Sequence, residues 1–257
     1  SGCTEMDYLI ADKIVIPEEM KKYYSEEIIY KPICFMPFDD KREISTKQFS
    51  RKDFNLPDDS FILAAFHRAN KLTIKEIKCW SRLLTEIDNS VIWLGDLEDT
   101  PKENLISCFK RNNIESNRIH FAKRLPSSAE HLARHACADI FLDSFNYNAH
   151  STSIDSLWAE LPVVTLLGKS FASRVSASFL NALGLNELIG KTEEEYIQIV
   201  IKLSKNKNRV IEIKKKIKTD KYLAPLFQTS ASIYNIESIY IDLLANINNV
   251  NKSISSK

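Results

Sequence analysis

Glycine is scarce in this chain of 257 residues. There are five, Gly2, Gly95, Gly168, Gly184 and Gly190, and they never approach G-x-G-x-x-G or a Walker phosphate loop. A dinucleotide oxidoreductase and a P-loop NTPase are thereby excluded. No Asp-x-Asp occurs, so the usual carboxylate pair for a metal-bound diphosphate is missing. The five cysteines, Cys3, Cys34, Cys79, Cys108 and Cys137, are odd in number and never form Cys-x-x-Cys. Neither a zinc site nor a disulfide framework follows from them. Cys79, Cys108 and Cys137 fall in helical patterns, as buried or half-buried thiols. Neither charge sign dominates, with 35 basic and 34 acidic side chains and a net charge of +1. That balance speaks against a nucleic-acid partner. The one basic run, Lys214-Lys215-Lys216 with Lys218, reads as a solvated helix face. No apolar run approaches the about 20 residues needed to span a bilayer, and no basic-then-apolar leader opens the chain. The expectation is a protein of a reducing cytoplasmic setting, with no metal, no cofactor and no membrane partner.

What is present is alternation. Phe61 to Phe66 is a continuous apolar run, as expected of a strand buried on both faces. Leu72 to Ile87 then places Ile74, Ile77, Trp80, Leu83, Leu84 and Ile87 at helical spacing. Further strands read Ser90 to Leu94, Arg118 to Ala122, Asp139 to Leu142 and Pro162 to Leu167. Helices read Lys102 to Asn112, Ser128 to Cys137, Ser151 to Glu160, Phe171 to Leu183 and Glu193 to Lys218. Alternating strands and helices with short loops predict an α/β fold, a Rossmann-like parallel sheet with helices on both faces. Residues 1–60 read as a lead-in segment packed on the domain. They carry Pro17, Pro32, Pro37 and Pro57 and one helical piece near Glu18 to Tyr24. Residues 61–247 form the domain with a terminal helix from about Pro225 to Asn246, and 248–257 a polar, frayed tail.

Sheets of this type bind ligands at the carboxyl ends of their strands, so the loops there hold the candidates. After the first domain strand comes His67-Arg68-Ala69-Asn70-Lys71, whose lysine can reach a phosphate or simply lie in solvent. After the fourth comes Ser144 to Asp155, a long polar loop ending at a helix start. Ser151, Thr152 and Ser153 would set backbone N–H groups and hydroxyls at that N-terminus, favourable for an anion, with His150 beside them. The same residues also suit a capping box, Thr152 with Asp155, that needs no ligand. His131 and Arg134 share a face three residues apart, either toward the strand ends or paired on the surface with Glu130. All lie on one edge of the predicted sheet. A nucleoside diphosphate suits them, one lysine and one helix N-terminus for the phosphates and an arginine or histidine near the base.

Several separated stretches, in order, resemble one family. They are Arg118 to Ala122, Glu130-His131-Leu132-Ala133-Arg134, Ala138 to Asp143, Tyr147 to Thr165 and Phe171-Ala172-Ser173-Arg174-Val175. Met6 to Pro17 and Pro225-Leu226-Phe227 fit as well, so the resemblance covers roughly residues 5–245. It is to the C-terminal catalytic lobe of the O-linked N-acetylglucosamine transferases, the family that includes the plant SPINDLY proteins and many bacterial tetratricopeptide-linked relatives. The resemblance implies the C-terminal, donor-binding half of a GT-B glycosyltransferase. It implies inverting, metal-independent transfer from a UDP-sugar, UDP-GlcNAc above all, to Ser or Thr of an acceptor protein. On it, Lys71 contacts the diphosphate and is the catalytic residue, stabilising the leaving group. His150, Ser151 and Thr152 bind phosphate, Asp155 holds the ribose hydroxyls, and His131 and Arg134 lie around the uridine; Arg68, in the loop after the first domain strand, is counted with the nucleotide-sugar-binding residues on its position.

The sequence departs from the family at three places. His67-Arg68 stand where Asn-Asn or Asn-Gln is more usual, Ser128 where animal members place a lysine, and Ser151 where most have Thr. The family's N-terminal lobe, with its acceptor-side histidines, and its tetratricopeptide repeats are not in this sequence and are implied as partners for transfer. A stand-alone UDP-sugar binder without turnover, or a remnant, are the other readings of the same residues.

Overall fold

The computed structural model describes residues 2–255, the side chains of 247–255 excepted; Ser256 and Lys257 of the predicted polar tail lie outside it. In chain order the strands are β1 (Tyr8–Ala11), β2 (Glu27–Tyr30), β3 (Phe61–Ala65), β4 (Ser90–Leu94), β5 (Ile119–Phe121), β6 (Ile140–Leu142), β7 (Val163–Leu166) and β8 (Ile189–Gly190). The α-helices are α1 (Ile74–Glu86), α2 (Asp99–Arg111), α3 (Ser128–Ala133), α4 (Ser151–Trp158), α5 (Val175–Ala182), α6 (Glu193–Lys205), α7 (Lys207–Asp220) and α8 (Thr229–Ser255). They fall into two compact units, residues 42–221 and residues 1–41 with 222–257.

The larger unit holds one parallel sheet in the order β5-β4-β3-β6-β7-β8, flanked by helices. Its strands are apolar because both faces are covered, and every residue of β3, β4, β6 and β7 is buried. The strand order reverses between β3 and β6, so their following loops diverge and leave a crevice at the carboxyl edge. β8, only two residues long, is too short to leave a periodic signal. It packs tightly all the same: a Cβ added at Gly190 would sit 2.6 Å from the Tyr196 backbone nitrogen. Gly190→Ala is therefore expected to destabilise the unit by about 1–3 kcal/mol through overpacking against backbone, measurable as a lowered urea midpoint at unchanged slope.

The pattern of Glu193 to Lys218 predicts one helix, yet two form. Asn206 ends α6 and caps α7, its side chain accepting from the Arg209 N–H at 3.1 Å, a preferred use of asparagine. Ser128 to Cys137 and Phe171 to Leu183 each include a 3-10 turn, at Arg134–Cys137 and Phe171–Ser173. The basic run on α7 is not wholly solvated. The Lys214 ammonium donates to the Ala138 carbonyl at 2.6 Å, and its burial pulls its pKa down. Lys216 donates to the Leu183 carbonyl at 3.1 Å.

The larger unit begins at Arg42, ahead of the predicted boundary at Phe61. Arg51 ties this lead-in to the sheet. It donates to the carbonyls of Cys137, Asp58 and Ser60 and pairs with Asp139 at 2.9 Å. Asp139 in turn accepts the Ile62 N–H at 2.7 Å. One arginine thereby joins the lead-in to the start of β3 and to the turn before β6.

In the smaller unit β1 and β2 pair in parallel over four residues each. The prolines around them hide these strands, and the predicted helical piece is a 3-10 turn, Glu18–Tyr23. Buried Asp12 accepts from the Ile14, Val15 and Phe35 N–H groups. Phe38 meets Phe227 edge-on at 5.1 Å. α8 continues to Ser255, past the predicted helix end at Asn246. Among the described residues, no helix is long and apolar enough to cross a membrane.

Candidate functional site

The crevice between β3 and β6 is built on two buried acids. Asp143, fully buried at the end of β6, accepts the Ser144 and Ala149 N–H groups at 2.9 and 2.8 Å and the Thr165 hydroxyl at 2.7 Å. It folds the loop 144–149 back on itself. Glu76, also fully buried, completes a capping box with Thr73 at the start of α1 and accepts the Phe145 N–H at 2.8 Å with its other oxygen. The loops after β3 and β6 are thus fastened to a common frame. His67 tightens it further, its Nε2 donating to the Leu142 carbonyl at 2.8 Å. The histidine that departs from the family pattern is therefore a buried bridge between strand ends. Burial holds its pKa below the ordinary value.

Asn148 is the hub of the loop. Its side chain donates to the Ser144 carbonyl at 2.7 Å and accepts from the Ser176 N–H at 3.2 Å. Its own carbonyl accepts from the Lys71 ammonium at 2.8 Å. The Lys71 Nζ also lies 4.2 Å from the centroid of the Tyr147 ring, a cation–π distance. Half-burial lowers the Lys71 pKa, opposed by the charge of Asp143. The Tyr147 ring stacks on the His150 imidazole at 4.6 Å and 19°, so one exposed aromatic touches two of the residues nominated for phosphate, Lys71 and His150.

His150 is the cap residue ahead of α4 and adopts φ 42°, ψ −107°. That conformation is rare for a non-glycine residue and costs about 1–3 kcal/mol. The Tyr147 stack and a contact from Nε2 to the Ala172 carbonyl at 3.2 Å hold it there. Burial lowers its pKa. Ser151 and Thr152 open α4 beside it, where the helix dipole favours an anion. Phe66, His67, Arg68, Asn70, Lys71, Tyr147, His150, Ser151 and Thr152 line this cleft, about 590 Å³ in volume.

An adjoining cleft of about 600 Å³ shares Arg68 and adds Arg42, Asp96, Arg124, Ser128, His131, Arg134 and Asp155. Arg134 lays its guanidinium 4.7 Å from the Phe66 ring centroid and donates to the Lys123 carbonyl at 2.7 Å. Its pKa is lowered to about 10 by burial, and its buried Nε has no hydrogen-bond partner. His131 is pulled down to about 4 by burial and by the arginine charges of Arg134 and Arg42, so it is neutral near pH 7. Glu130 pairs with Lys47 and not with this face. Asp155 is buried and its carboxylate receives Arg42, not the Thr152 backbone. The ligand-free capping-box reading of Thr152 and Asp155 is thus not what forms: α4 starts at Ser151, after His150, two residues ahead of where a Thr152 cap would start it.

The structure therefore gathers Lys71, Arg68, His150, Ser151 and Thr152 around one cleft. It places Arg68, His131, Arg134 and Asp155 around the next. Sequence reasoning passed over Arg42, Asp96, Arg124 and Tyr147. Tyr147 is visible in hindsight as an aromatic inside the polar loop. Arg42 leaves no local signal, standing 113 residues from its partner.

The model of glycosyl transferase family 41 matches residues 40–236. The probable UDP-N-acetylglucosamine–peptide N-acetylglucosaminyltransferase SEC of Arabidopsis thaliana is 29% identical over 95% of this chain and 25% of its own length. The UDP-N-acetylglucosamine–peptide N-acetylglucosaminyltransferase of Caenorhabditis elegans is 29% identical over 74% of this chain and 16% of its own length. The chain thus spans a quarter or less of these relatives. Among solved structures, a mutant O-GlcNAc transferase of Thermobaculum terrenum superposes with a TM-score of 0.81 at 22% identity, over 91% of this chain and 44% of that one. Anabaena HepE in complex with UDP and glucose superposes with a TM-score of 0.60 at 15% identity, over 93% and 63%. Such likeness shows the fold, a parallel sheet flanked by helices of the GT-B type.

Proposed function

The chain belongs to glycosyl transferase family 41, and from that premise we propose that its paired clefts bind the UDP part of a nucleotide-sugar donor. The sugar is N-acetylglucosamine, and the transfer is inverting, metal-independent and directed to Ser or Thr of an acceptor protein. The carrying observation is the convergence of Lys71 and the α4 N-terminus on one cleft beside a second that holds a buried carboxylate. The relatives' names, which specify UDP-N-acetylglucosamine and peptide, support the donor and the acceptor class.

In this reading the diphosphate lies across Lys71, His150 and the first residues of α4, Ser151 and Thr152. Departure of UDP places negative charge on the terminal phosphate. A fixed ammonium and a helix N-terminus, already aimed and half-shielded from water, offset it without reorganising. That makes Lys71 the catalytic residue. Asp155 accepts from the ribose hydroxyls. Arg134, whose buried Nε is without a partner, offers a donor to a base carbonyl, with His131 neutral beside it and Arg68 between the clefts. The attacking hydroxyl comes from the acceptor protein, and the lobe that presents it, the family's N-terminal lobe with its tetratricopeptide repeats, lies outside these two clefts.

The test is calorimetric titration of this chain with UDP, with GDP as control and no divalent metal in either arm. Binding of UDP in preference to GDP is the expected result. No heat with either nucleotide would overturn the reading and leave a remnant of the fold.

A further inference from the structure

Arg42 sits where a ligand residue would be looked for. It is the first residue of the larger unit, and its carbonyl accepts the Trp158 indole N–H at 3.0 Å. That bond fastens its backbone to the end of α4, the helix that carries Asp155. Its guanidinium then reaches the Asp155 carboxylate, in the cleft assigned above to the nucleoside. Asp155 is 8% exposed. A buried carboxylate is expensive to keep charged unless paired, and only the charged form offers both oxygens as acceptors to a pair of hydroxyls.

We propose that Arg42 is a positioning residue of the donor site, holding Asp155 ionised and oriented as the acceptor of the ribose hydroxyls. The inference rests on the UDP-binding reading above. It assigns a function to a residue outside the two loops that carry the rest of the site. The opposing possibility is competition, in which the guanidinium occupies the carboxylate and must leave before ribose can enter.

Linkage separates the two. Burial raises the Asp155 pKa, and Arg42 works against that rise by charge and by hydrogen bonding. Without Arg42 the carboxyl is pushed up further, so protonation reaches it at a higher pH. A hydroxyl acceptor present only in the charged form is lost as pH falls through that raised value. The other titratable or charged groups lining the cleft are Arg68, Asp96, Arg124, His131 and Arg134. The arginines stay charged, and His131 titrates only at about 4, below the window used.

The experiment is calorimetric titration of the wild-type chain, Arg42→Ala and Arg42→Lys with UDP and with 2′,3′-dideoxyuridine diphosphate, from pH 8 to pH 5.5. Positioning predicts that Arg42→Ala weakens UDP by roughly tenfold at pH 5.5, the scale of one hydrogen bond to a charged group. The loss narrows toward pH 8, Arg42→Lys recovers part of it, and the dideoxy ligand shows none of it. Tighter UDP binding by Arg42→Ala would overturn the proposal in favour of competition. An equal loss for both ligands at every pH would overturn it in favour of a merely structural arginine. Absence of UDP binding by the wild-type chain would sink the parent reading instead, so the two failures are distinct.

Discussion

Lys71→Ala should weaken UDP binding by ~1–3 kcal/mol, a loss of roughly 5-fold to 150-fold, the range for hydrogen bonds to a charged group. The geometry explains why one lysine carries so much. Two of its surroundings are fixed by the fold, the Asn148 carbonyl at 2.8 Å and the Tyr147 ring at 4.2 Å. An ammonium has three N–H bonds, and one or two remain for phosphate. The side chain therefore pays little rotamer entropy on binding, unlike a lysine drawn from solvent. The same titration against uridine should be nearly unchanged, because uridine brings no phosphate to the charge. Equal losses for UDP and uridine would mean that Lys71 shapes the cleft and does not meet the diphosphate. In a chain competent for transfer the effect on turnover should exceed that on binding, by about a hundredfold or more, since charge on the leaving phosphate peaks in the transition state.

How far the sequence carries the structure can be judged from particular residues. The apolar runs of β3, β4, β6 and β7 announce a parallel sheet because strands covered on both faces have no polar alternation to show. Once the sheet is known, the loops at its carboxyl edge follow. Lys71, His150, Ser151 and Thr152 then meet at one cleft because β3 and β6 are neighbours. What stayed hidden is of another kind. β8 is held by two residues of ladder, less than one period of any pattern. Asn206 interrupts an apolar stripe that continues on both sides of it, so periodicity alone reads α6 and α7 as one. His67 resembles a surface loop residue until the strand ends close around it. Lys214 belongs to a basic run, and only tertiary contact reveals that its ammonium caps the Ala138 carbonyl. Arg42 lies in a proline-rich stretch without period. Contacts across long sequence separation are written in packing, not in local pattern, and a site assembled from them is read only in part from the chain.

The largest effect on folding should come from Asp143→Ala, a loss of about 3–5 kcal/mol of stability. Three donors converge on this one side chain: two loop N–H groups and the Thr165 hydroxyl from β7. Alanine would leave all three without their partner in a buried place, where each unsatisfied group costs about 1–3 kcal/mol, offset in part by water entering the space. Asp143→Asn separates the causes. Its remaining carbonyl oxygen still accepts both N–H groups, and the Thr165 hydroxyl can turn to accept from the new amide. Its loss should therefore stay within about 1.5 kcal/mol, the net scale of one ordinary hydrogen bond. Urea unfolding of both variants beside wild type checks the difference. If Asp143→Ala loses under about 1 kcal/mol, the loop 144–149 is held by its other bonds, chiefly those of Asn148 and Glu76. If it loses the expected amount, UDP affinity should fall with it even under conditions where the variant remains folded. The loop that Asp143 closes is the one that carries the Asn148 carbonyl to Lys71 and delivers His150 in its strained conformation to the head of α4. Stability and binding are then two readouts of one buried carboxylate.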